Sequence, residues 1–175
     1  MARRIFSFDS PDRFLPGTIG EPGDRSFYLQ ARKGGALITV GIEKVQVAVL
    51  ARRLDDLLDA VEAPSESTDD GPDELEEPVV EMFRIGAMAL AWDASAGAVV
   101  IAAQTPTEDG EYLELPDDAE DGPDQLSVRL PPQRARGFVR RAEALLVGGR
   151  PACPFCGQPL DPQGHFCPRG DGQLN

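Results

Sequence analysis

Three cysteines and one histidine are the side chains of this sequence best suited to chemistry, and they fall in one short stretch: Cys153, Cys156, His165 and Cys167. Their spacing reads Cys-x2-Cys-x8-His-x-Cys. Zinc is held by four thiolate or imidazole ligands in a tetrahedron, and three thiolates with one imidazole make such a set. Cys153 and Cys156 suit a tight knuckle, with Gly157 leaving room for backbone amides to face the sulfurs. Pro159, Pro162 and Gly164 turn the chain back. His165 and Cys167, two apart on an extended segment, then reach the same side. Four protein ligands leave no open position for water, so the expected ion is a structural Zn2+ rather than a catalytic or redox metal. The last two ligands stand closer than the Cys-x2-Cys of an ordinary zinc ribbon, which makes this a variant knuckle. With His165 outside the shell, Asp161 or water becomes the fourth ligand and a catalytic role returns. An odd cysteine count does not suit a disulfide framework. Because His165 is the only histidine, its use as a ligand leaves none to act as a general base near neutral pH. Residues 150–175 are too few to bury a core, so metal binding is expected to supply the folding free energy of this tail.

Arginines are the second candidate. The net charge is −13, from 30 acids against 17 bases, which on its face opposes nucleic-acid and anionic-membrane partners. The charge is segregated, however. Glu62 to Glu81 holds nine acids and no base, and Thr105 to Asp124 again holds nine acids and no base. Both stretches are broken by prolines and read as acidic, partly disordered loops. They contain 18 of the 30 acids, so the rest of the chain carries 12 acids against 17 bases and is basic. The loops are either solvating surface or a cover that competes with an anionic ligand for a basic face. Arg52-Arg53 and Arg140-Arg141 fall on the polar sides of two expected helices. Either they are solvated or paired with acids, or, if the helices lie side by side, they form one anion-binding patch, to which Arg169 is a further candidate contributor.

These residues need elements to position them. Arg3 to Phe8 reads as a strand, and Pro11, Pro16, Gly17, Gly20, Pro22 and Gly23 as a long turn region. Ser26 to Arg32, the turn Gly34-Gly35 and Ala36 to Ile42 form a hairpin. Val47, Leu50, Leu54, Leu57, Leu58 and Val61 recur at helical spacing, and Pro64 stops that helix. Val79 to Trp92 reads as one long apolar strand, with Ala98 to Gln104 returning and Gln125 to Leu130 as a further strand. Pro131-Pro132 opens a second helix, with Phe138, Ala142, Leu145 and Leu146 on its apolar face and Gly148-Gly149 at its end. A shift of 88 residues lays Ile38, Val40, Ile42, Leu50, Leu54 and Leu57 on Leu126, Val128, Leu130, Phe138, Ala142 and Leu145, and Arg52-Arg53 on Arg140-Arg141. The expected fold is α+β: an antiparallel sheet with two helices packed on it, as a duplicated strand-hairpin-helix unit or a chance likeness of two such units. The expected division is an α+β domain over 1–149, with acidic loops near 62–78 and 105–124, and a zinc-knuckle tail over 150–175.

The tail Cys-Pro-Phe-Cys … Asp-Pro-Gln-Gly-His-Phe-Cys-Pro-Arg, with Arg3-Ile5-Phe6, Phe14 to Gly20 and Phe27 to Ala31 upstream, resembles an actinobacterial family of conserved proteins of unknown function that end in such a knuckle. Relatives continue Cys-Pro-Arg with Asn-Gly, where this chain has Gly170-Asp171-Gly172. The resemblance implies zinc and assigns no activity. No apolar run is long enough to span a bilayer, and no apolar stretch follows Arg3-Arg4 to make a secretory leader, so a soluble cytoplasmic protein is expected. The leading expectation is a non-catalytic, zinc-stabilised binding or adaptor protein whose partner is another protein. The alternatives are a nucleic-acid binder using a basic face and the knuckle, and an enzyme acting on an anionic small molecule. No catalytic pair can be picked out among the 30 acids.

Overall fold

The computed structural model describes residues 2–147 apart from Pro22, Asp69, Asp70 and Asp73. The ten elements in order are β1 (Ile5–Asp9), β2 (Arg13–Ile19), β3 (Ser26–Lys33), β4 (Ala36–Ile42), α1 (Lys44–Ala60), β5 (Glu81–Arg84), β6 (Ala87–Asp93), β7 (Ala98–Gln104), β8 (Gln125–Leu130) and α2 (Pro132–Val147). The class is α+β, as expected. The sheet is not single and not wholly antiparallel: the strands form two four-stranded mixed sheets, ordered β2-β3-β4-β5 and β1-β8-β7-β6.

Two local expectations are corrected. The turn region assigned to Pro16 and Gly17 is strand β2, paired in unbroken register with β3 from Arg13↔Arg32 to Ile19↔Ser26. β2 lies at a sheet edge, where a proline's missing N–H costs no ladder bond. The long strand over Val79 to Trp92 is two strands in different sheets, with the switch at Ile85-Gly86. There the Ile85 N–H donates to Gly41 O at 2.8 Å and the Gly86 N–H donates to Gln104 O at 2.7 Å, one bond into each sheet. A Cβ on Gly86 would stand 2.4 Å from Pro106 Cα, so only glycine fits the corner. A continuous apolar run hides such a break, because both strands face the same core.

The two sheets share one plan. In each, three strands run antiparallel and a fourth lies parallel at the edge: β5 beside β4, and β1 beside β8. A helix follows β4 and another follows β8. The registers agree as well. Arg13↔Arg32 in the β2–β3 pair matches Ala87↔Gln104 in the β6–β7 pair, and Phe27↔Ile42 matches Val99↔Leu130. The repeat read from Ile42 with Leu130 and Leu54 with Ala142 therefore extends to whole halves, each four strands and a helix. Each half places its first strand in the sheet of the other.

One apolar cluster joins both sheets and both helices, including Leu29, Val40, Leu54, Leu58, Val99, Val128, Leu130 and Ala142, all essentially inaccessible. Each such buried aliphatic side chain larger than alanine contributes about 1.5–3 kcal/mol. Phe14 of β2 stacks on Phe138 of α2, ring centroids 4.9 Å apart. The helices pack against each other and run antiparallel. Near its start α2 presents Arg136, 9% exposed, whose guanidinium meets Asp55 at 2.8 Å and Asp59 at 3.0 Å and also bonds the carbonyls of Ala63 and Pro64. Near its end, Leu145 O accepts a bond from Arg25, beside the strand β3 that pairs with the end of β4. Among the described residues no helix is long and apolar enough to cross a membrane.

Arg136→Ala is expected to lower the unfolding free energy by about 1–3 kcal/mol, since it removes charge-assisted bonds but leaves its exposed aspartates in water. Arg136→Lys should recover less than half of that, because an ammonium cannot fork to two carboxylates and two carbonyls. Urea unfolding of both variants measures this.

Candidate functional site

The expected zinc ligands Cys153, Cys156, His165 and Cys167, with the alternative ligand Asp161 and the anion-site candidate Arg169, lie outside the described residues. Among the described residues, no group of three or more His, Cys, Asp or Glu side chains is placed to hold a metal.

The first acidic stretch lies against the domain as a strap across α2, β2 and β3. Arg13 donates to the carbonyls of Pro72 at 2.6 Å and Glu74 at 3.2 Å. Arg32 meets the Glu76 carboxylate at 3.1 Å, and Arg13 faces its other oxygen at 3.7 Å. The amide of Gln30, 1% exposed, accepts the Glu76 N–H at 2.8 Å and donates to Glu76 O at 2.9 Å, as a neighbouring strand would. From α2, Arg140 bonds Ser67 Oγ at 2.7 Å and Arg141 bonds Gly71 O. The Thr68 N–H donates to Gln133 O at 3.1 Å. The strap comes so close to α2 that a Cβ on Gly137 would lie 1.9 Å from Thr68 O. The described part of this stretch thus lies over Arg13, Arg32, Arg140 and Arg141, bonded to them through backbone carbonyls, the Ser67 hydroxyl and the Glu76 carboxylate.

The second acidic stretch is clasped by the first residues of the chain. Arg3 bonds the carbonyls of Pro116 and Pro123, and Ala2 bridges Asp121. Asp124 accepts both the Arg4 amide at 2.9 Å and the Arg4 guanidinium at 2.7 Å. Burial alone would push the Asp124 carboxyl up, but these bonds outweigh it and hold the group below its ordinary 3.8. Asp93 is likewise held low, by the Ser95 hydroxyl and the Ala96 amide, with Arg129 adding to it. Tyr112 is pushed up by burial, and the carboxylates of Glu114 and Asp117 reinforce the shift. All three displaced groups serve loops.

The paired arginines have separate roles. Arg140 and Arg141 hold the strap. Arg52 and Arg53 are exposed on α1, with no described partner among the described residues. Arg53 lines a cleft of about 440 Å³ between α1 and the start of β6, with Val45, Gln46, Val49, Leu57, Met88 and Leu90 among its walls. Val45 and Val49 are 68% and 42% exposed, unusually open for valines on an ordered helix. The first turn of α1 is anchored beside it, with Gln46 Oε1 accepting the Glu43 N–H at 2.8 Å and Gln46 Nε2 donating to Ile85 O at 3.2 Å. The sequence reading missed Arg13, Gln30, Arg32 and Gly137 as strap contacts and missed the cleft. Gly137 was the available signal, since a glycine inside a helix costs about 1 kcal/mol against alanine and calls for a packing reason. Val45 and Val49 were a weaker one, because they fall off the apolar stripe of α1.

Fold and site together define an α+β domain of two strand-exchanged halves, with one helix–sheet groove strapped shut and another open and apolar. The chain belongs to DUF3090, a family of proteins of unknown function whose model matches residues 6–167. No curated protein and no solved structure matches it.

A carboxylate held low by its folded partners stabilises above its ordinary value and loses that contribution as pH falls through its folded value. The Arg4–Asp124 clasp should therefore be intact at neutral pH and release below about pH 3.8. Amide exchange across 105–124 is expected to accelerate in that window, and Asp124→Asn should show the faster exchange already at neutral pH.

Proposed function

We propose that this is a binding or adaptor protein that works without catalysis, with a tail held by structural zinc. The α1–β6 cleft carries the reading. Its walls are mostly aliphatic and methionine side chains with Gln46 among them, Arg53 is the only titratable group lining it among the described residues, and its valines are open to a partner. Such a surface suits an apolar protein segment bearing an acidic group, with the apolar contact supplying affinity and the guanidinium fixing orientation. The donor set of Cys153, Cys156, His165 and Cys167 fits a closed tetrahedral zinc site, which would fold the tail and leave no coordination position for a substrate.

Metal analysis should find one zinc per chain, lost in Cys156→Ser, while the urea transition of the domain is little changed by chelator. Arg53→Glu and Val49→Asp should each weaken capture of the same partner from extract at least about tenfold, which is 1.4 kcal/mol. Turnover of a small molecule by the purified protein, abolished by cleft substitutions, would overturn the reading.

Nucleic-acid binding is the second reading, favoured by the strap of acids over Arg13, Arg32, Arg140 and Arg141. Gly137→Ala should push the strap away, because the added Cβ meets Thr68 O. On this reading that variant acquires salt-dependent binding of single-stranded oligonucleotides, and Arg140→Glu removes it again. A variant that binds none at low salt disposes of it.

A further inference from the structure

A strand at a sheet edge turns a row of unpaired N–H and C=O groups outward, and folded chains guard it with proline, charge, shortness or a cover. The two sheets end on equivalent strands, β2 and β6, since Arg13↔Arg32 matches Ala87↔Gln104. β2 is guarded. It holds Pro16, carries Arg13, and lies under the strap, where a Cβ on Gly17 would stand 2.4 Å from the Leu75 side chain. β5 and β1, at the other two edges, are short and carry Glu81, Arg84 and Asp9. β6 has no such guard. Its seven residues, Ala87 to Asp93, pair with β7 in unbroken register, without proline. Its one charge, Asp93, stands at the end and is taken by Arg129. Among the described residues no strand pairs with its outer side.

We propose that β6 pairs antiparallel with β6 of a second copy, joining two four-stranded sheets into one across a two-fold axis. This rests on the reading of the α1–β6 cleft as a recognition surface and names a second copy of the chain as its occupant. The edge calls for an extended segment that is apolar on the cleft side and small on the other, and β6 is itself such a segment. Met88, Leu90 and Trp92 are half-buried against the core, Met88 and Leu90 line the cleft, and Ala87, Ala89 and Ala91 alternate with them on the outer face. A two-fold axis perpendicular to the sheet sets like faces opposite one another only when it passes through a residue. Passing through Leu90, the centre of the strand, it pairs all seven residues. Ala89 then faces Ala91 of the second copy, Met88 faces Trp92, and Ala87 faces Asp93. Sulfur meets indole, and the lone charge meets alanine rather than itself. The α1 stretch that walls the cleft carries exposed Arg52, Arg53 and Asp56, both signs of charge, so each copy complements the other. The pairing uses the same edge on both chains and therefore closes at two. A different protein entering the cleft has to displace the second copy.

The test uses the full purified chain. Sedimentation equilibrium is expected to give a dimer, and dilution should shift the emission of Trp92, the sole tryptophan, to the red as the seam opens. Ala89→Lys with Ala91→Lys sets lysine against lysine twice and should weaken dimerisation at least about tenfold. Ala89→Lys with Ala91→Glu sets opposite charges face to face at the same positions and should bring dimerisation back to within about threefold of the parent chain. Circular dichroism checks that both variants are folded. A parent chain that stays monomeric overturns the proposal, whether amide exchange then shows β6 protected by another segment of the chain or bare. A dimer indifferent to the paired lysines, or one that the Lys–Glu exchange fails to restore, overturns it as well. The adaptor reading is judged separately, by capture of a different protein from extract with and without Arg53→Glu, and survives a monomer.

Discussion

Parallel pairing between the halves is the constraint on which the rest of the structure depends. Parallel neighbours cannot be joined by a tight hairpin and need a crossover. Between β4 and β5 that crossover is α1 plus the strap, so the strap's path across α2 and β2 is part of how the first sheet closes. Between β1 and β8 no crossover exists, because the two strands come from opposite ends of the domain and meet only when the second half is in place. Arg129 secures that meeting, with Asp9 of β1 at 3.7 Å and Asp93 at the end of β6 at 3.2 Å.

Arginine chemistry then decides how the acidic stretches behave. A run of acids broken by prolines cannot bury a core and has little reason to order by itself. Here the guanidinium groups bond backbone carbonyls as often as carboxylates: Pro72, Glu74 and Gly71 in the strap, Pro116 and Pro123 in the second loop. Carbonyl bonds do not depend on the ionisation of the loop, and they satisfy backbone groups that an irregular segment would otherwise leave to water. Arg136 does the same at the helix interface, where two aspartates and two carbonyls share one planar fork.

Much of the fold was legible because periodicity and turn chemistry agree. Ala36 to Ile42, Ala98 to Gln104 and Gln125 to Leu130 are strands at the residues expected, and Pro132 opens its helix. What failed to show was which strand sits beside which. β1 and β5 are short, and nothing in Ile5 to Asp9 says that its partner starts at Gln125. The repeat was visible only where spacing is constant, from β4 into α1; the unequal β3–β4 and β7–β8 connections conceal the rest. Pro16 misled because proline usually marks a turn and only the edge position excuses it. The arginine pairs were noticed, but their division between a strapped groove and an open one depends on tertiary placement.

Strand exchange also has a consequence for synthesis. As the chain emerges from the ribosome, β2, β3, β4 and α1 can assemble early, yet the outer edge of β4 stays bare until β5 arrives, and β1 has no sheet to join until β8 is made, more than a hundred residues later. Throughout that interval the nascent protein displays a solitary apolar strand and an unsatisfied sheet edge, the features that invite wrong pairing between neighbouring chains. Acidic stretches lying between the strands keep such intermediates mutually repellent. The heavy negative charge thereby guards a molecule that can become whole only at the last strand.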